Sequence, residues 1–213
     1  MRVIAVPVKS LERAKSRLAQ VLAPLERAAL TLAMLEDVLD ACTAMRGWQT
    51  WVVSPDESVL EVSARRRARP VVEEKAGLAA AIRQVQEEAA GADALAVVLG
   101  DLPLLTAESL GRVFRTLGPV VTAPSASEDG TNVLLRRPPR AIPARFGTNS
   151  FRKHREAAEL KDLPFAVVHA PELAFDLDTP DDIAQLLEWR RGSRTRQGCL
   201  EMGLAERLNL RTP

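Results

Sequence analysis

Three aspartates carry the first sign of chemistry. Asp101 follows the uncharged run Ala94–Leu99 and Gly100, and Pro103 comes just after it. Such a run, bounded by turn residues, reads as a parallel strand buried on both faces, which puts Asp101 at the carboxyl end of a central strand. Open α/β sheets bind their ligands at that end. Far along the chain lies Phe175-Asp176-Leu177-Asp178-Thr179-Pro180-Asp181-Asp182. An extended backbone places Asp176 and Asp178 on one face and turns Leu177 to the core. Asp181 and Asp182 fall in the first turn of a helix, where the dipole favours them. Carboxylate oxygens of this kind suit Mg2+, which takes a few protein oxygens beside substrate phosphates and water. The expectation is that Asp101, Asp176 and Asp178 meet and hold a divalent metal.

Two further stretches suit anions. Lys9 to Leu18 leaves the first strand with four cationic side chains, Lys9, Arg13, Lys15 and Arg17, able to wrap a polyphosphate by charge. Asp129-Gly130-Thr131-Asn132 and Arg145-Phe146-Gly147-Thr148-Asn149-Ser150 set glycine beside hydroxyl and amide side chains at a strand start and a helix start. Backbone N–H groups and hydroxyls there can cradle an anionic small molecule. A plain turn and a helix cap at Thr148 or Asn149 are the alternative reading. His154 and His169 have no partner at metal spacing and read as surface or strand-end residues.

Composition removes other classes. The 213 residues are 46% hydrophobic, enough for one domain with a substantial core. Twenty-nine Lys and Arg against 28 Asp and Glu leave a net charge of +1, so no global field recruits nucleic acid or a membrane surface. No apolar stretch approaches the roughly 20 residues of a membrane span. Two cysteines exclude a disulfide framework or a cysteine-ligated zinc, and a reducing, cytoplasmic setting is expected. No P-loop, dinucleotide glycine fingerprint, zincin helix or nucleophile elbow occurs.

The elements that must position these residues follow from hydrophobic period and punctuation. Strands are expected at Val3–Val8, Trp48–Val53, Pro70–Glu73, the Ala94 run, Pro119–Ala123, Thr131–Arg136 and Phe165–His169. Helices are expected at Pro24–Met45, after Asp56, at Gly77–Ala90, after Thr106, at Thr148–Leu160 and at Thr179–Trp189. Their alternation predicts an α/β three-layer sandwich with a mostly parallel sheet and right-handed crossovers. Residues 1–189 form the expected single domain. Residues 190–213, beginning Arg-Arg-Gly-Ser, read as a tail or appendage, either a contact to a second copy in a homodimer or a frayed end.

Taken in order, Pro7-Val8-Lys9, Ala14-Lys15-Ser16-Arg17-Leu18, Gly77-Leu78, Gly100-Asp101-Leu102-Pro103-Leu104, Asp129-Gly130-Thr131-Asn132, Phe146-Gly147, Ser150 and Asp176 to Asp182 resemble the phosphoenolpyruvate / 2-phospho-L-lactate guanylyltransferase family of deazaflavin coenzyme biosynthesis. The likeness runs from Val3 to Trp189. It implies a Rossmann-like fold of the glycosyltransferase-A nucleotidyltransferase type. It implies GTP and a three-carbon phospho-acid as substrates, with Mg2+ on Asp101, Asp176 and Asp178. Lys9, Lys15 and Arg17 would hold the triphosphate, with Gly77 and Leu78 at the nucleotide. Thr131, Gly147 and Ser150 would bind the acceptor. Asp101, Lys9 and Lys15 would be the catalytic set. One departure is Ala79, where the family usually carries asparagine.

An acceptor phosphate is already ionised at neutral pH, so attack on an α-phosphorus needs positioning and charge neutralisation rather than a protein base. That agrees with a chain lacking a histidine or cysteine constellation. Three other readings use the same residues: a nucleotidyltransferase for a molybdopterin or sugar phosphate, a sugar-nucleotide glycosyltransferase using Asp176-Leu177-Asp178 as its metal motif, and a non-catalytic GTP-binding sensor.

Overall fold

The computed structural model describes residues 1–209. Strands β1 (Arg2–Pro7), β2 (Gln49–Ser54), β3 (Arg69–Val72), β4 (Ala94–Val98), β5 (Val120–Pro124), β6 (Thr131–Arg136) and β7 (Phe165–Val167) form one sheet in the order β3-β2-β1-β4-β6-β5-β7. Six strands point the same way, and β6 alone runs against β4 and β5. The Ser125–Gly130 connection is too short for a crossover, which needs a dozen or more residues, so β6 must return antiparallel beside β5.

Helices cover both faces: α1 (Pro24–Thr43), α2 (Glu57–Arg65), α3 (Leu78–Glu88), α4 (Ala107–Arg115), α5 (Ser150–Glu159) and the short α6 (Pro171–Ala174). Alternation along the strands separates two cores. Ile4, Val6, Val52 and Val98 pack with Leu35 and Val38 of α1, Val59 of α2 and Leu110 of α4. Val3, Ala5, Trp51, Leu95 and Val97 pack with Ile82 and Val85 of α3 on the other face, and Val120 and Leu134 with Ala157 and Ala158 of α5. Every side chain of β4 is buried, at about 1.5–3 kcal/mol for each Val or Leu. The layered α/β class read from the pattern is the class observed.

Most helix starts follow local signals. Asp56 caps α2 by accepting from the Ser58 N–H at 3.2 Å, and Thr106 with Ser109 closes a capping box on α4. At α5 the capping position falls on Asn149, one of the two residues expected there, but in the left-handed conformation and with no side-chain cap bond. Helix α6 was not expected; Pro171 opens it and Leu173 buries beneath it.

The segment after Trp189 folds onto its own chain. Helices α7 (Pro180–Glu188), α8 (Arg194–Glu201) and α9 (Leu204–Arg207) share a third cluster in which Ile183, Leu186, Cys199 and Leu204 meet Leu30 and Met34 of α1. Asp37 of α1 accepts hydrogen bonds from the Arg194 N–H at 2.8 Å, the Thr195 N–H at 3.0 Å and the Thr195 hydroxyl at 2.6 Å. The stretch expected as a tail or appendage packs within the chain, its apolar side chains covering Leu30 and Met34 of α1. Residues 210–213 of that stretch lie outside the described residues.

Candidate functional site

Asp101 stands just past the carboxyl end of β4. Gly100 before it has little room: a Cβ there would sit 3.1 Å from Val8 Cγ2 and 3.6 Å from the Pro7 carbonyl. The glycine therefore serves the close approach of β4 to the exit of β1, rather than a left-handed turn. The Leu177 N–H donates to the Asp101 carbonyl at 3.2 Å, a backbone link between the two acidic stretches. Leu177 is buried, and Asp176 and Asp178 flank it as the alternation requires. Asp182 does more than favour a helix dipole. Its carboxylate accepts from the Asp178 N–H at 2.9 Å and the Thr179 N–H at 2.7 Å, which fixes the backbone that presents Asp178.

The basic loop closes over these acids. Two short 3-10 turns, Leu11–Arg13 and Ser16–Leu18, flank Lys15, whose φ of 50° is left-handed. That conformation turns the side chain inward while Leu18 anchors the loop in the core. The Lys15 ammonium donates to Asp101 Oδ2 at 2.9 Å and to Asp178 Oδ1 at 2.8 Å. Arg17 stays largely in water, 3.7 Å from Asp178 Oδ2. Lys9 is exposed at the mouth of the loop, close enough for its charge to act on Asp178.

The electrostatics divide the carboxylates. Burial disfavours the Lys15 charge, but Asp101 and Asp178 outweigh it and hold the ammonium pKa above its ordinary value. Burial also opposes the Asp178 charge, yet Lys15, then Arg17 and Lys9, keep that carboxyl below the usual carboxylate range. Asp176 goes the other way. Burial first, and the Asp101 charge second, push its pKa up. Asp101 Oδ1 is buried with no hydrogen-bond partner. A buried carboxylate oxygen without a donor is an acceptor that an added cation would satisfy. Among the described residues no three His, Cys, Asp or Glu side chains are placed together to hold a metal ion; here Asp101 and Asp178 meet on the Lys15 ammonium, and Asp176 is the third acid near them.

The second anion-friendly pair of stretches also converges. The ladder pairs Ala123 with Val133 and Pro124 with Thr131, so Asn132 is an extra residue in a β-bulge. The bulge sends Thr131 and Asn132 to different neighbours. The Asn132 amide donates to the Leu173 and Ala174 carbonyls at 3.0 and 3.1 Å and reaches Asp176 Oδ1 at 3.5 Å. Thr131 Oγ1 lies 3.0 Å from His154 Nδ1 of α5. The Phe151 N–H donates to the Asp129 carbonyl at 3.4 Å and the Ser150 N–H to Gly147 at 3.0 Å, so Thr131, Gly147 and Ser150 border one loop cluster. Gly147 has a φ of +107°, which favours glycine. Gly77 and Leu78 lie at the start of α3, where the Gly77 N–H donates to Glu73 Oε1 at 2.6 Å and Leu78 packs against the same cluster as Phe146.

Against this geometry the comparisons decide the family. The profile described as "Guanylyl transferase CofC like" matches residues 1–206. The chain belongs to that family. Among relatives, a phosphoenolpyruvate guanylyltransferase of Sphaerobacter thermophilus is 41% identical over 189 residues, covering 86% of this chain and 91% of the relative. A 3-phospho-D-glycerate guanylyltransferase of Phenylobacterium zucineum is 38% identical, covering 85% and 88%. A 2-phospho-L-lactate guanylyltransferase of Haloarcula marismortui is 37% identical, covering 86% and 84%. A crystal structure of 4-diphosphocytidyl-2C-methyl-D-erythritol synthase from Anaerococcus prevotii superposes with a TM-score of 0.57 at 13% identity, over 86% of this chain and 94% of that one. The last likeness concerns the fold alone. The CofC-like chain is thus an enzyme, a nucleotidyltransferase by family. Among the described residues no helix is long and apolar enough to cross a membrane.

Sequence reasoning missed three supporting side chains of this site. His154, expected at the surface, is fully buried. Its spacing within α5, four residues past Ser150, was the available signal. Asn132 is expected in an anion-cradling stretch or a turn and not against Asp176, and Asp182 only as a dipole partner.

Proposed function

We propose that the chain catalyses Mg2+-dependent transfer of GMP from GTP to phosphoenolpyruvate or 2-phospho-L-lactate, releasing pyrophosphate, as a step of deazaflavin redox coenzyme biosynthesis in the cytoplasm. The observation that supports it is the meeting of Asp101 and Asp178 on Lys15 at the carboxyl end of β4, with Asp176 near enough for their charges to act on it. Mg2+ held by the three aspartates would supply charge neutralisation for oxygens of donor and acceptor. Lys9, Lys15 and Arg17 bind the triphosphate and stabilise the departing pyrophosphate. Gly77 and Leu78 border the nucleotide. Thr131, Gly147 and Ser150 orient the acceptor so that its phosphate oxygen forms a bond to the α-phosphorus. The α–β bridging P–O bond breaks, and its electron pair leaves with pyrophosphate. The attacking phosphate is already ionised, so no side chain has to take a proton.

Relatives named for three different phospho-acids make the acceptor a matter of pocket shape. The test is pyrophosphate release by the purified chain with GTP and Mg2+ and, in turn, phosphoenolpyruvate, 2-phospho-L-lactate and 3-phospho-D-glycerate. Release with phosphoenolpyruvate or 2-phospho-L-lactate, absent with CTP or UTP as donor, is expected. No release with any acid overturns the proposal. Release only with 3-phospho-D-glycerate overturns the choice of acceptor.

A further inference from the structure

His154 is a buried histidine that the proposed reaction does not use as a base. It projects from α5 between two stretches of the acceptor loop cluster. Its Nε2 accepts a hydrogen bond from the Arg145 backbone N–H at 2.8 Å. A nitrogen that accepts carries no proton, so in the neutral ring Nδ1 is the protonated atom. That N–H then donates to Thr131 Oγ1 at 3.0 Å. The edge of the ring packs against Phe146, with centroids 5.2 Å apart. Burial, with the charges of Arg136, Arg145 and Lys153 behind it, pushes the His154 pKa down to about 3, so the ring keeps its neutral form across the working range.

The consequence falls on Thr131. A hydroxyl that accepts from His154 keeps its own proton for another partner, and no intramolecular acceptor takes it among the described residues. A donor of fixed polarity is what an anionic oxygen requires. The other end of the ring holds the backbone at Arg145, two residues before Gly147. We propose that His154 is a positioning residue for the acceptor, setting the Thr131 hydroxyl as a donor to an anionic oxygen of the phospho-acid and holding the loop that carries Gly147 and Ser150. The proposal rests on the reading of Thr131, Gly147 and Ser150 as the acceptor site.

Two measurements test it. The first is the nitrogen NMR spectrum of histidine-labelled wild-type protein. With only two histidines in the chain, a His169→Asn variant assigns the signals. A pyrrole-type Nδ1 and pyridine-type Nε2 for His154, unchanged from pH 8 to pH 5, are expected. The Nε2–H tautomer, or titration near the ordinary histidine value, overturns the proposal. The second is kinetic. His154→Met offers at most a weak sulfur acceptor near the Arg145 N–H and no donor to Thr131, and His154→Phe fills the space with neither. Loss of one hydrogen bond to a charged oxygen should raise the acceptor KM about tenfold or more, with the GTP KM unchanged. An unchanged acceptor KM, or GTP and acceptor KM rising together, overturns it. Should neither variant fold, the wild-type spectrum still decides. An active chain with the wrong tautomer sinks this proposal alone, whereas a chain that releases no pyrophosphate with any acid sinks the function on which it rests.

Discussion

Lys15→Met probes the site most directly. The Lys15 side chain is 7% exposed and its ammonium makes two charge-assisted hydrogen bonds, while the side chains of Asp101 and Asp178 are 29% and 40% exposed. Breaking a fully buried ion pair costs about 3–5 kcal/mol. Solvent screens both carboxylates here, so the loss in metal-free protein should be about 2–3 kcal/mol. In a chain of this size that is a Tm decrease of roughly 4–12 °C. Methionine keeps the length and apolar stem of lysine, so the change reports charge rather than a cavity. Three carboxylates would then share one place without their nearest cation, and each should welcome a divalent ion more readily. Scanning calorimetry in chelator and again in saturating Mg2+ measures both effects. The Mg2+-dependent rise in Tm should be larger in the variant than in the wild type, because a ligand that binds only the folded state stabilises it by mass action. Turnover should fall by about two to three powers of ten even in Mg2+, since the cation that meets the triphosphate is gone. An unchanged metal-free Tm, or equal Mg2+ responses in the two proteins, would refute the electrostatic account of the site.

Asp101→Asn should leave the fold intact and lower kcat by about two or more powers of ten; near-normal pyrophosphate release would remove Asp101 from the metal set. Asp176→Asn should separate stability from activity. The folded-state pKa of Asp176 is raised, so its neutral form is favoured by folding, and the ionised form weakens the fold as pH rises through that pKa. The amide mimics the neutral form, and in metal-free buffer at pH 7 the variant should melt about 2–4 °C above wild type while losing turnover. The gain should shrink as pH falls and the wild-type carboxyl takes up its proton. A variant that melts below wild type at pH 7 would contradict the burial cost and the repulsion from Asp101 that together raise the Asp176 pKa.

Much of the molecule was legible in the residues themselves. The apolar run ending Leu99-Gly100-Asp101 could only be a central strand with a carboxylate at its mouth, since no charged side chain interrupts it. Asp176-Leu177-Asp178 dictated its own geometry, because a buried Leu177 in extended backbone leaves both acids on the opposite side. Even the reversal of β6 was implicit in the short Ser125–Gly130 link. Tertiary structure alone settled the rest. That Lys15, rather than Lys9 or Arg13, reaches Asp101 and Asp178 depends on one left-handed residue between two 3-10 turns, a conformation that lysine rarely announces. That Thr131 and Asn132 serve different neighbours depends on a bulge defined by the pairing of β5 with β6. Whether His154 meets water or Thr131, and whether the final helices trail free or seat on Asp37, depends on surfaces far apart in the chain. Local pattern encodes the period and punctuation of each element. Which side chains then share a low-dielectric corner is decided by packing between elements, and it is in that corner that the charges acquire their chemistry.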